Sequence, residues 1–313
     1  MTGAKKTITF KSSSGLCDIF AEVYYPEKSG DIKAVIQIAH GMAEHHERYE
    51  DFISFLNDNG YAVFINDHLG HGKSVSSDSE LGFFGKKAGY IYLVDDMKQL
   101  HDMAKEEFPD IPYILFGHSM GSFLARLFCE RYGDTVDGAV FCGTSGPNSL
   151  ASVGLPLIKA IASIKGDHYR SKFIDNMSFG SYNKKINPQR TSFDWLTSRE
   201  DIIDQYIADP YCGFLFTTCG YRDLVTLIIL VNRADWYTSV PSDLPVYIIS
   251  GDADPVGNYG KGVTEVYRNL IDSNHSNVTM KLYAGDRHEI LNEKDNKDVY
   301  NDILSWIKTV TDI

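Results

Sequence analysis

Apolar and polar residues alternate over the first 25 residues of the chain, and the pattern then changes. Ile8 and Phe10 point the same way, the polar segment 12–15 indicates a turn, and apolar residues occupy every second position from Cys17 to Tyr25. Such alternation is typical of strands with one buried side and one side in solvent. We therefore predict an N-terminal antiparallel hairpin with one solvated face.

The rest of the chain alternates between short apolar runs and longer helical patterns. Six runs predict strands, at residues 34–39, 61–65, 113–116, 136–142, 246–249 and 278–283. Most of them lack polar alternation, as expected for strands that are buried on both faces. Apolar residues recur at helical spacing in 90–108, 121–132 and 299–310. Strands that alternate with helices predict an α/β fold with a mostly parallel sheet covered on both sides.

One connection between predicted strands is far too long for a simple crossover. Residues 146–240 separate two sheet strands, whereas a parallel crossover needs only about a dozen residues. Helical patterns fill much of this segment, at 156–164, at 198–207 with a start at Ser198 that resembles a capping box, and at 221–231. We predict a helical cap over residues 146–240, inserted into a core formed by residues 1–145 and 241–313.

A G-x-S-x-G motif, Gly117 to Gly121 with Ser119 at its centre, follows the run 113–116 and precedes a helical pattern. A strand, a sharp turn and a helix form the local structure of a nucleophile elbow, in which the serine hydroxyl stands above the sheet edge. The flanking glycines permit the tight turn. We therefore predict Ser119 to be a nucleophile.

A serine nucleophile needs a base, and the base needs an acid that orients it. The two late strands are followed by candidates for both, because Asp252 and Asp254 follow the first and His288 follows the second. Either aspartate fits the chain order Ser, Asp, His of this sheet type. We prefer Asp254, because it lies further along the loop and Pro255 fixes the turn behind it. Asp252 is expected to bond local backbone amides as an Asx turn.

The first predicted parallel strand ends at His40, Gly41 and Met42. An oxyanion hole takes one backbone N–H from this position and one from the residue after the nucleophile. We expect the N–H groups of Met42 and Met120 to fill these roles. His40 is expected to support the turn rather than to react.

Five segments together resemble the monoglyceride lipase/lysophospholipase group of α/β-hydrolases, whose domain is also described as serine-aminopeptidase-like. They are HGMAEHHERY at 40–49, DHLGHGKS at 67–74, GHSMG at 117–121, GDADP at 251–255 and RHE at 287–289. The resemblance covers nearly the whole chain and is weakest in the cap. It implies an α/β-hydrolase fold and the roles already assigned to the serine, Asp254, His288 and the two methionine amides. Ser122 departs from the group, which usually has a second glycine after the elbow.

The leading functional prediction is a serine hydrolase that cleaves neutral medium-chain carboxylic esters, monoacylglycerols or lysophospholipid-like esters among them. Ester chemistry on a serine forms an acyl-enzyme and needs no cofactor. Aromatic residues of the cap are candidates to line an acyl tunnel: Phe173, Phe179, Trp195, Phe214, Phe216 and Trp236.

Two alternatives stay open. The first is a serine aminopeptidase of the proline iminopeptidase type, which needs cap carboxylates to hold the substrate ammonium group. The candidates are Asp194, Glu200, Asp201, Asp204, Asp209, Asp223 and Asp235. The second is a ligand-binding relative without turnover, against which the intact set of serine, aspartate and histidine argues.

The net charge and the cysteine content exclude some classes of partner and predict the cellular compartment. The chain has 30 Lys and Arg against 42 Asp and Glu, a net charge of −12, which argues against nucleic acid and against docking on anionic lipid. Five scattered cysteines and no apolar leader segment predict a reducing cytoplasm and no stable membrane anchor. The cluster Glu44 to Glu47 is interpreted as a solvated helix start rather than a metal site. The oligomeric state stays open.

Overall fold

The computed structural model describes residues 3–27 and 32–312, with an eight-stranded sheet at its centre. The strands are β1 (Lys5–Lys11), β2 (Asp18–Tyr24), β3 (Val35–Ala39), β4 (Ala62–Asn66), β5 (Tyr113–His118), β6 (Gly138–Cys142), β7 (Val246–Gly251) and β8 (Val278–Tyr283). Their order is β1-β2-β4-β3-β5-β6-β7-β8. The first two strands pair antiparallel, β2 pairs antiparallel with β4, and every other neighbouring pair is parallel. The predicted α/β fold class is confirmed.

Burial along the strands explains their composition. Every residue of β3 to β7 is buried, which is why these segments read as continuous apolar runs. The edge strand β8 instead alternates between exposed and half-buried positions. The hairpin differs from its prediction at Glu22, which was placed on a solvated face but is buried and accepts a hydrogen bond from the hydroxyl of Tyr24 at 2.5 Å. The cause is that His46 covers this face of the strand, with its Nε2 3.4 Å from the carboxylate of Glu22.

Ten α-helices surround the sheet in the described part of the chain. They are α1 (Glu50–Asp58), α2 (Gly89–Glu107), α3 (Met120–Tyr132), α4 (Ser149–Lys165), α5 (Lys172–Phe179), α6 (Glu200–Ala208), α7 (Thr218–Leu230), α8 (Trp236–Ser239), α9 (Lys261–Asp272) and α10 (Asn296–Thr311). Helices α1 and α10 contribute to the apolar core on one face, and α2, α3 and α9 contribute to the core on the other. None of the described helices combines the length and the apolarity needed to cross a membrane.

The long connection between β6 and β7 contains the five helices α4 to α8. All three of its predicted helix starts differ from the structure. Helix α4 begins before Pro156 and carries this proline inside, α7 begins at Thr218 rather than at Tyr221, and α6 begins at Glu200 after Arg199. Ser198 does not cap this helix because its hydroxyl donates to the carboxylate of Glu293 instead. The division of the chain at residues 146 and 240 stays a prediction, and its outer limits, residues 1 and 313, lie outside the described residues.

Candidate active site

Ser119 lies at a sharp turn between β5 and α3. Its backbone has φ 54° and ψ −120°, a conformation that is strained for a residue with a side chain. The turn is so tight that a Cβ on Gly121 would lie 2.0 Å from the carbonyl oxygen of Ala39. The backbone N–H of Ser119 donates to the carbonyl of Cys142 at 2.9 Å, which ties the elbow to the neighbouring strand β6. Strand, turn and helix therefore form the elbow expected from the sequence.

Asp254 and His288 are brought together by the loops that follow β7 and β8. Nδ1 of His288 lies 2.9 Å from Oδ2 of Asp254, and both side chains are buried. The carboxylate of Asp254 also accepts bonds from the hydroxyl of Ser250 at 3.2 Å and from the N–H of Val256 at 2.8 Å. These two bonds fix the carboxylate, so that it holds the imidazole in one orientation.

Asp252, the second acid candidate, has another role. Its side chain is exposed and accepts the N–H of Gly285 at 2.7 Å. The bond therefore crosses to the neighbouring loop that carries His288, rather than closing a local Asx turn as the sequence predicts. The reason is that β7 and β8 pair in parallel, so that their following loops lie side by side. The local turn is formed by Asp254 instead, because its carboxylate accepts the backbone N–H of Val256.

The second ring nitrogen of His288 is free for chemistry. Its Nε2 is buried and has no hydrogen-bond partner among the described residues. The ring contacts the rings of Trp195 and His118, at centroid distances of 5.1 and 4.8 Å. His288 and Ser119 line the same cavity. A buried nitrogen without a partner is costly unless a ligand or a reacting group uses it.

The two predicted oxyanion donors line that cavity as well. Among the described residues, neither Met42 nor Met120 uses its backbone N–H in a hydrogen bond. His40 supports the turn before Met42, because its Nδ1 donates to the carbonyl of Gly41 at 2.8 Å and its Nε2 accepts the N–H of His68 at 2.9 Å. Burial lowers the pKa of His40, which keeps the ring neutral as this pair of bonds requires.

A buried charged network borders the cavity that Ser119 and His288 line, and it was not predicted. The guanidinium of Arg48 pairs with both carboxylate oxygens of Glu289 at 2.7 Å and with Glu44 at 2.6 Å. Burial alone would raise the pKa of Glu44, but Arg48 lowers it well below its ordinary value. Glu44 is therefore a buried ion-pair partner, and its interpretation as part of a solvated helix start is wrong. The signal in the sequence was the spacing of Glu44 and Arg48, four residues apart.

This network reaches the chain neighbours of Met42, Ser119 and His288. Glu44 accepts the N–H of Gly41, next to Met42, at 2.5 Å, and Glu289 directly follows His288. His118, which precedes the nucleophile, has its Nε2 3.3 Å from the carbonyl oxygen of His288. Burial disfavours the charged form of His118, but the hydrogen bond and charge of Glu44 raise its pKa overall. The network therefore fixes three loops against one another.

Asp286 stands two residues before His288 and has no part in these bonds. Its side chain is only 6% exposed, and its Oδ2 has no partner among the described residues. Burial and the nearby carboxylates of Asp295 and Glu293 raise the pKa of Asp286 to about 7. This carboxyl group is consequently a source of pH-dependent stability.

We expect Asp286→Asn to raise the thermal midpoint more at pH 8 than at pH 4. The folded chain holds the proton of Asp286 up to about pH 7, whereas the unfolded chain loses it near its ordinary pKa of about 3.9. The stabilising effect of protonation is complete below pH ~4 and is lost as the pH rises through the folded value. Asparagine cannot ionise and removes this loss. Thermal unfolding from pH 4 to 9 measures the shift in the midpoint, with exposed Asp243→Asn as the control. Equal shifts at pH 4 and pH 8 would contradict the prediction.

The cavity above Ser119 has a volume of about 510 Å³. Trp195, Phe179 and Phe214 line it, as the sequence suggested for the cap aromatics. Apolar side chains that the sequence analysis missed complete the wall: Phe123, Leu196, Leu215, Leu224, Ile228 and Val256. Phe123 could have been found, because it lies one helical turn after Ser119 on the elbow helix.

Three aromatic candidates for the tunnel do not line the cavity. Phe216 is fully buried against the rings of Phe84 and Tyr221. Trp236 is fully buried as well, and its indole N–H donates to the carbonyl of Arg126 on α3 at 2.9 Å. Phe173 is 61% exposed to solvent. The cause is that the helices between β6 and β7 need apolar side chains to pack on the core, and a sequence pattern does not separate these from cavity residues.

The carboxylates required by the aminopeptidase alternative are directed elsewhere. None of the seven candidates lines the cavity formed by the described residues. Asp194 and Asp204 bond to the segment around Arg190, and Asp223 accepts the N–H of Gly89 at 2.9 Å. Asp175 does line the cavity, but it accepts the hydroxyl of Tyr221 at 2.7 Å.

Comparison with known protein families shows which family the chain belongs to. A family model described as serine aminopeptidase, S33, matches residues 30–295. The chain belongs to this family.

The S33 family description names a peptidase, whereas similar proteins carry the names of ester hydrolases. The chain is 26% identical to the monoacylglycerol lipase of Mycolicibacterium smegmatis over 294 residues, which cover 92% of each chain. It is 26% identical to the mouse monoglyceride lipase over 290 residues, 90% of this chain and 85% of the relative.

Solved structures place this S33 chain among the α/β-hydrolases. A thermostable carboxyl esterase from Bacillus coagulans, in complex with glycerol, has a TM-score of 0.92 and 33% identity, covering 98% of this chain and 99% of the other. A lipase in an open form has a TM-score of 0.88 and 26% identity, covering 99% and 100%. The predicted resemblance to monoglyceride lipases is confirmed.

Ser122, which follows the elbow of this S33 member, has a structural effect. The hydroxyl of Ser122 donates to the carbonyl of Ser119 at 2.6 Å. The bond lies within the first turn of α3 and reinforces the backbone behind the nucleophile.

Proposed function

We propose that this protein is a serine esterase that hydrolyses neutral carboxylic esters of medium acyl length, including monoacylglycerols, through an acyl-enzyme on Ser119. The observation that best supports this proposal is that three features meet in one cavity. These are a serine on a strained elbow, a histidine held by Asp254 with its other nitrogen free, and an apolar wall. Relatives named as lipases and carboxyl esterases support the ester class.

The proposed reaction starts when Oγ of Ser119 attacks the ester carbonyl carbon and Nε2 of His288 accepts its proton. Asp254 stabilises the imidazolium through Nδ1, at 2.9 Å. The N–H groups of Met42 and Met120 donate to the oxyanion. As the C–O bond breaks, the alcohol leaves with the proton from His288. Water then attacks the acyl-enzyme and gives a proton to His288. As the bond from the acyl carbon to Oγ breaks, His288 returns this proton to Oγ, which releases the carboxylic acid and regenerates Ser119.

The preference for a neutral substrate follows mainly from the charge of the whole chain, which is −12. In the cavity lining, Arg48 pairs with two of the carboxylates, Glu44 and Glu289, and Asp175 and Lys184 add one charge of each sign. An anionic substrate would meet this negative field, whereas a neutral ester does not. Polar side chains suited to an alcohol with free hydroxyl groups also line the cavity: Asn176, Asn183, Gln189 and Ser192.

Residues 146–240 are proposed to act as the cap over this site, because they supply most of the cavity's apolar side chains. The reducing cytoplasm, expected from the scattered cysteines, stays a prediction.

A chain-length series tests the proposed substrate. Each buried methylene contributes about 0.8 kcal/mol, so kcat/KM is expected to rise about 4-fold per methylene until the apolar wall is filled. Ile228→Trp is expected to shift the optimum to shorter chains, because Ile228 lines the cavity. The matched control is Phe173→Trp, at an exposed position of the same segment.

The panel contains p-nitrophenyl esters from acetate to decanoate, monoacylglycerols and aminoacyl anilides. Equal rates on acetate and octanoate esters would show that no acyl chain binds in the cavity. The highest rates on aminoacyl anilides would instead support the aminopeptidase alternative. An unchanged optimum in Ile228→Trp would place the acyl chain elsewhere.

A further inference from the structure

The loop after α6 is joined to the loop that carries Met42. The N–H of Gly213 donates to the carbonyl of Ala43 at 2.9 Å, and the hydroxyl of Tyr206 donates to the same carbonyl at 3.0 Å. Ala43 directly follows Met42, whose N–H is a proposed oxyanion donor. A ligand bound across this junction would therefore connect the proposed cap to the oxyanion loop.

Three metal-binding side chains meet at this junction. Nε2 of His45 lies 2.8 Å from Oδ2 of Asp209. Ligand atoms of His45, Asp209 and Cys212 all lie within 4.8 Å of one another. His45 is buried and Cys212 is only 9% exposed, whereas the side chain of Asp209 is 29% exposed and leaves a path from solvent. The three residues come from two segments that are far apart in the chain.

We propose that His45, Asp209 and Cys212 form a zinc site that bridges the loop after α6 and the oxyanion loop. Imidazole, carboxylate and thiolate are the side-chain ligands of Zn²⁺, and three protein ligands with one water complete a tetrahedral site. The mixture of one sulfur with nitrogen and oxygen favours zinc over magnesium or calcium, which take oxygen ligands. The site is separate from Ser119, Asp254 and His288 and does not rest on the proposed ester chemistry.

Binding requires two changes of protonation. The thiol of Cys212 loses its proton to water as the zinc–sulfur bond forms. The hydrogen bond between His45 and Asp209 is replaced by bonds from each side chain to the metal, and His45 then carries its ring proton on Nδ1. No change in oxidation state is involved.

A neighbouring set of residues is less suited to the metal. Ligand atoms of His45, His46 and Asp67 also lie within 4.8 Å of one another. However, Nδ1 of His46 and Oδ1 of Asp67 are already paired at 2.7 Å. Asp67 also accepts the backbone N–H groups of His46 at 2.9 Å and of Lys73 at 2.8 Å. A metal on Oδ1 of Asp67 would break two bonds of a fully buried carboxylate, whereas a metal on Oδ2 of Asp209 breaks one and leaves the bond from the N–H of Tyr211 to Oδ1 in place.

The test uses the full chain after treatment with a chelator. We expect micromolar Zn²⁺ to raise the thermal midpoint by a few degrees, because a ligand that binds only the folded state stabilises it. Co²⁺ in place of Zn²⁺ is expected to give the near-ultraviolet absorption band of a cobalt–thiolate bond. Both signals report binding without any measurement of activity.

Two variants and one control make the test specific. Cys212→Ser is expected to abolish the cobalt–thiolate band and to weaken Zn²⁺ binding by at least ~10-fold, because a hydroxyl is a poor replacement for a thiolate ligand. Asp209→Asn leaves the thiol in place and is expected to weaken binding as well. Cys17→Ser removes a more accessible thiol elsewhere, and this variant should bind Zn²⁺ with the same affinity as the unmodified chain.

Equal Zn²⁺ affinity in the unmodified chain and in Cys212→Ser would overturn the proposal and point to another site, such as the imidazole of His288. Absence of saturable Zn²⁺ binding would overturn it as well, and the cluster would then be only a hydrogen-bonded contact between the two loops. If Cys212→Ser fails to fold, the affinity of Asp209→Asn decides, because Asp209 is partly exposed.

Discussion

Ser119→Ala is expected to lower kcat for ester hydrolysis by about 10³- to 10⁶-fold, because the acyl-enzyme can no longer form. The same variant is expected to lose all labelling by a fluorophosphonate probe, which reacts with activated serines. The fold should be retained, since the alanine keeps the Cβ atom and the hydroxyl is not used in a structural hydrogen bond among the described residues. Steady-state kinetics and mass spectrometry of the labelled protein measure both effects.

Ser145→Ala is the matched control for this prediction. Ser145 also lines the cavity, but among the described residues only its backbone carbonyl is used, as an acceptor for Arg126 at 3.0 Å. We expect this variant to keep its labelling and most of its activity. Near-normal turnover of Ser119→Ala, or labelling of Ser145 in the unmodified chain, would assign the nucleophile elsewhere.

The sequence predicted those parts of the molecule that depend on short-range pattern. A strand buried on both faces must be apolar throughout, so β3 to β7 were found directly. The elbow at Ser119 was found because two glycines and a strand–helix transition are local requirements. Chain order and parallel pairing then placed Asp254 and His288 at the same sheet edge, since the carboxyl ends of parallel strands lie together.

The remaining features depend on contacts between distant segments, which a single sequence does not specify. The ion pair of Arg48 and Glu289 joins residues 241 positions apart. Phe214 and Phe216 are two residues apart, yet only Phe214 lines the cavity, because the chain between β6 and β7 must also form its own packing. The sequence marks both as apolar and gives no further distinction.

Asp254→Asn is expected to lower kcat by about 10⁴-fold while leaving the fold intact. The asparagine carbonyl can still accept the bonds from Ser250 or Val256, but its NH₂ group opposes Nδ1–H of His288 and favours the wrong tautomer of the ring. The proton acceptor required at Nε2 is then lost. The measurement is kcat on the preferred ester, with circular dichroism and the thermal midpoint as a check on folding.

Asp252→Asn provides the decisive comparison, because the two aspartates differ by two positions in one loop. Asp252 is exposed, and its side chain accepts the N–H of Gly285 as its one hydrogen bond among the described residues. An asparagine oxygen accepts that bond equally well. We expect its kcat to change by less than about 3-fold, within the range of surface substitutions. If the two effects were reversed, the acid would be Asp252, and the 2.9 Å contact between Asp254 and His288 would serve the structure rather than the chemistry. A large loss in both variants at an unchanged midpoint would indicate that the loop must be rigid as a whole, since Asp252 acts on His288 only through the backbone at Gly285.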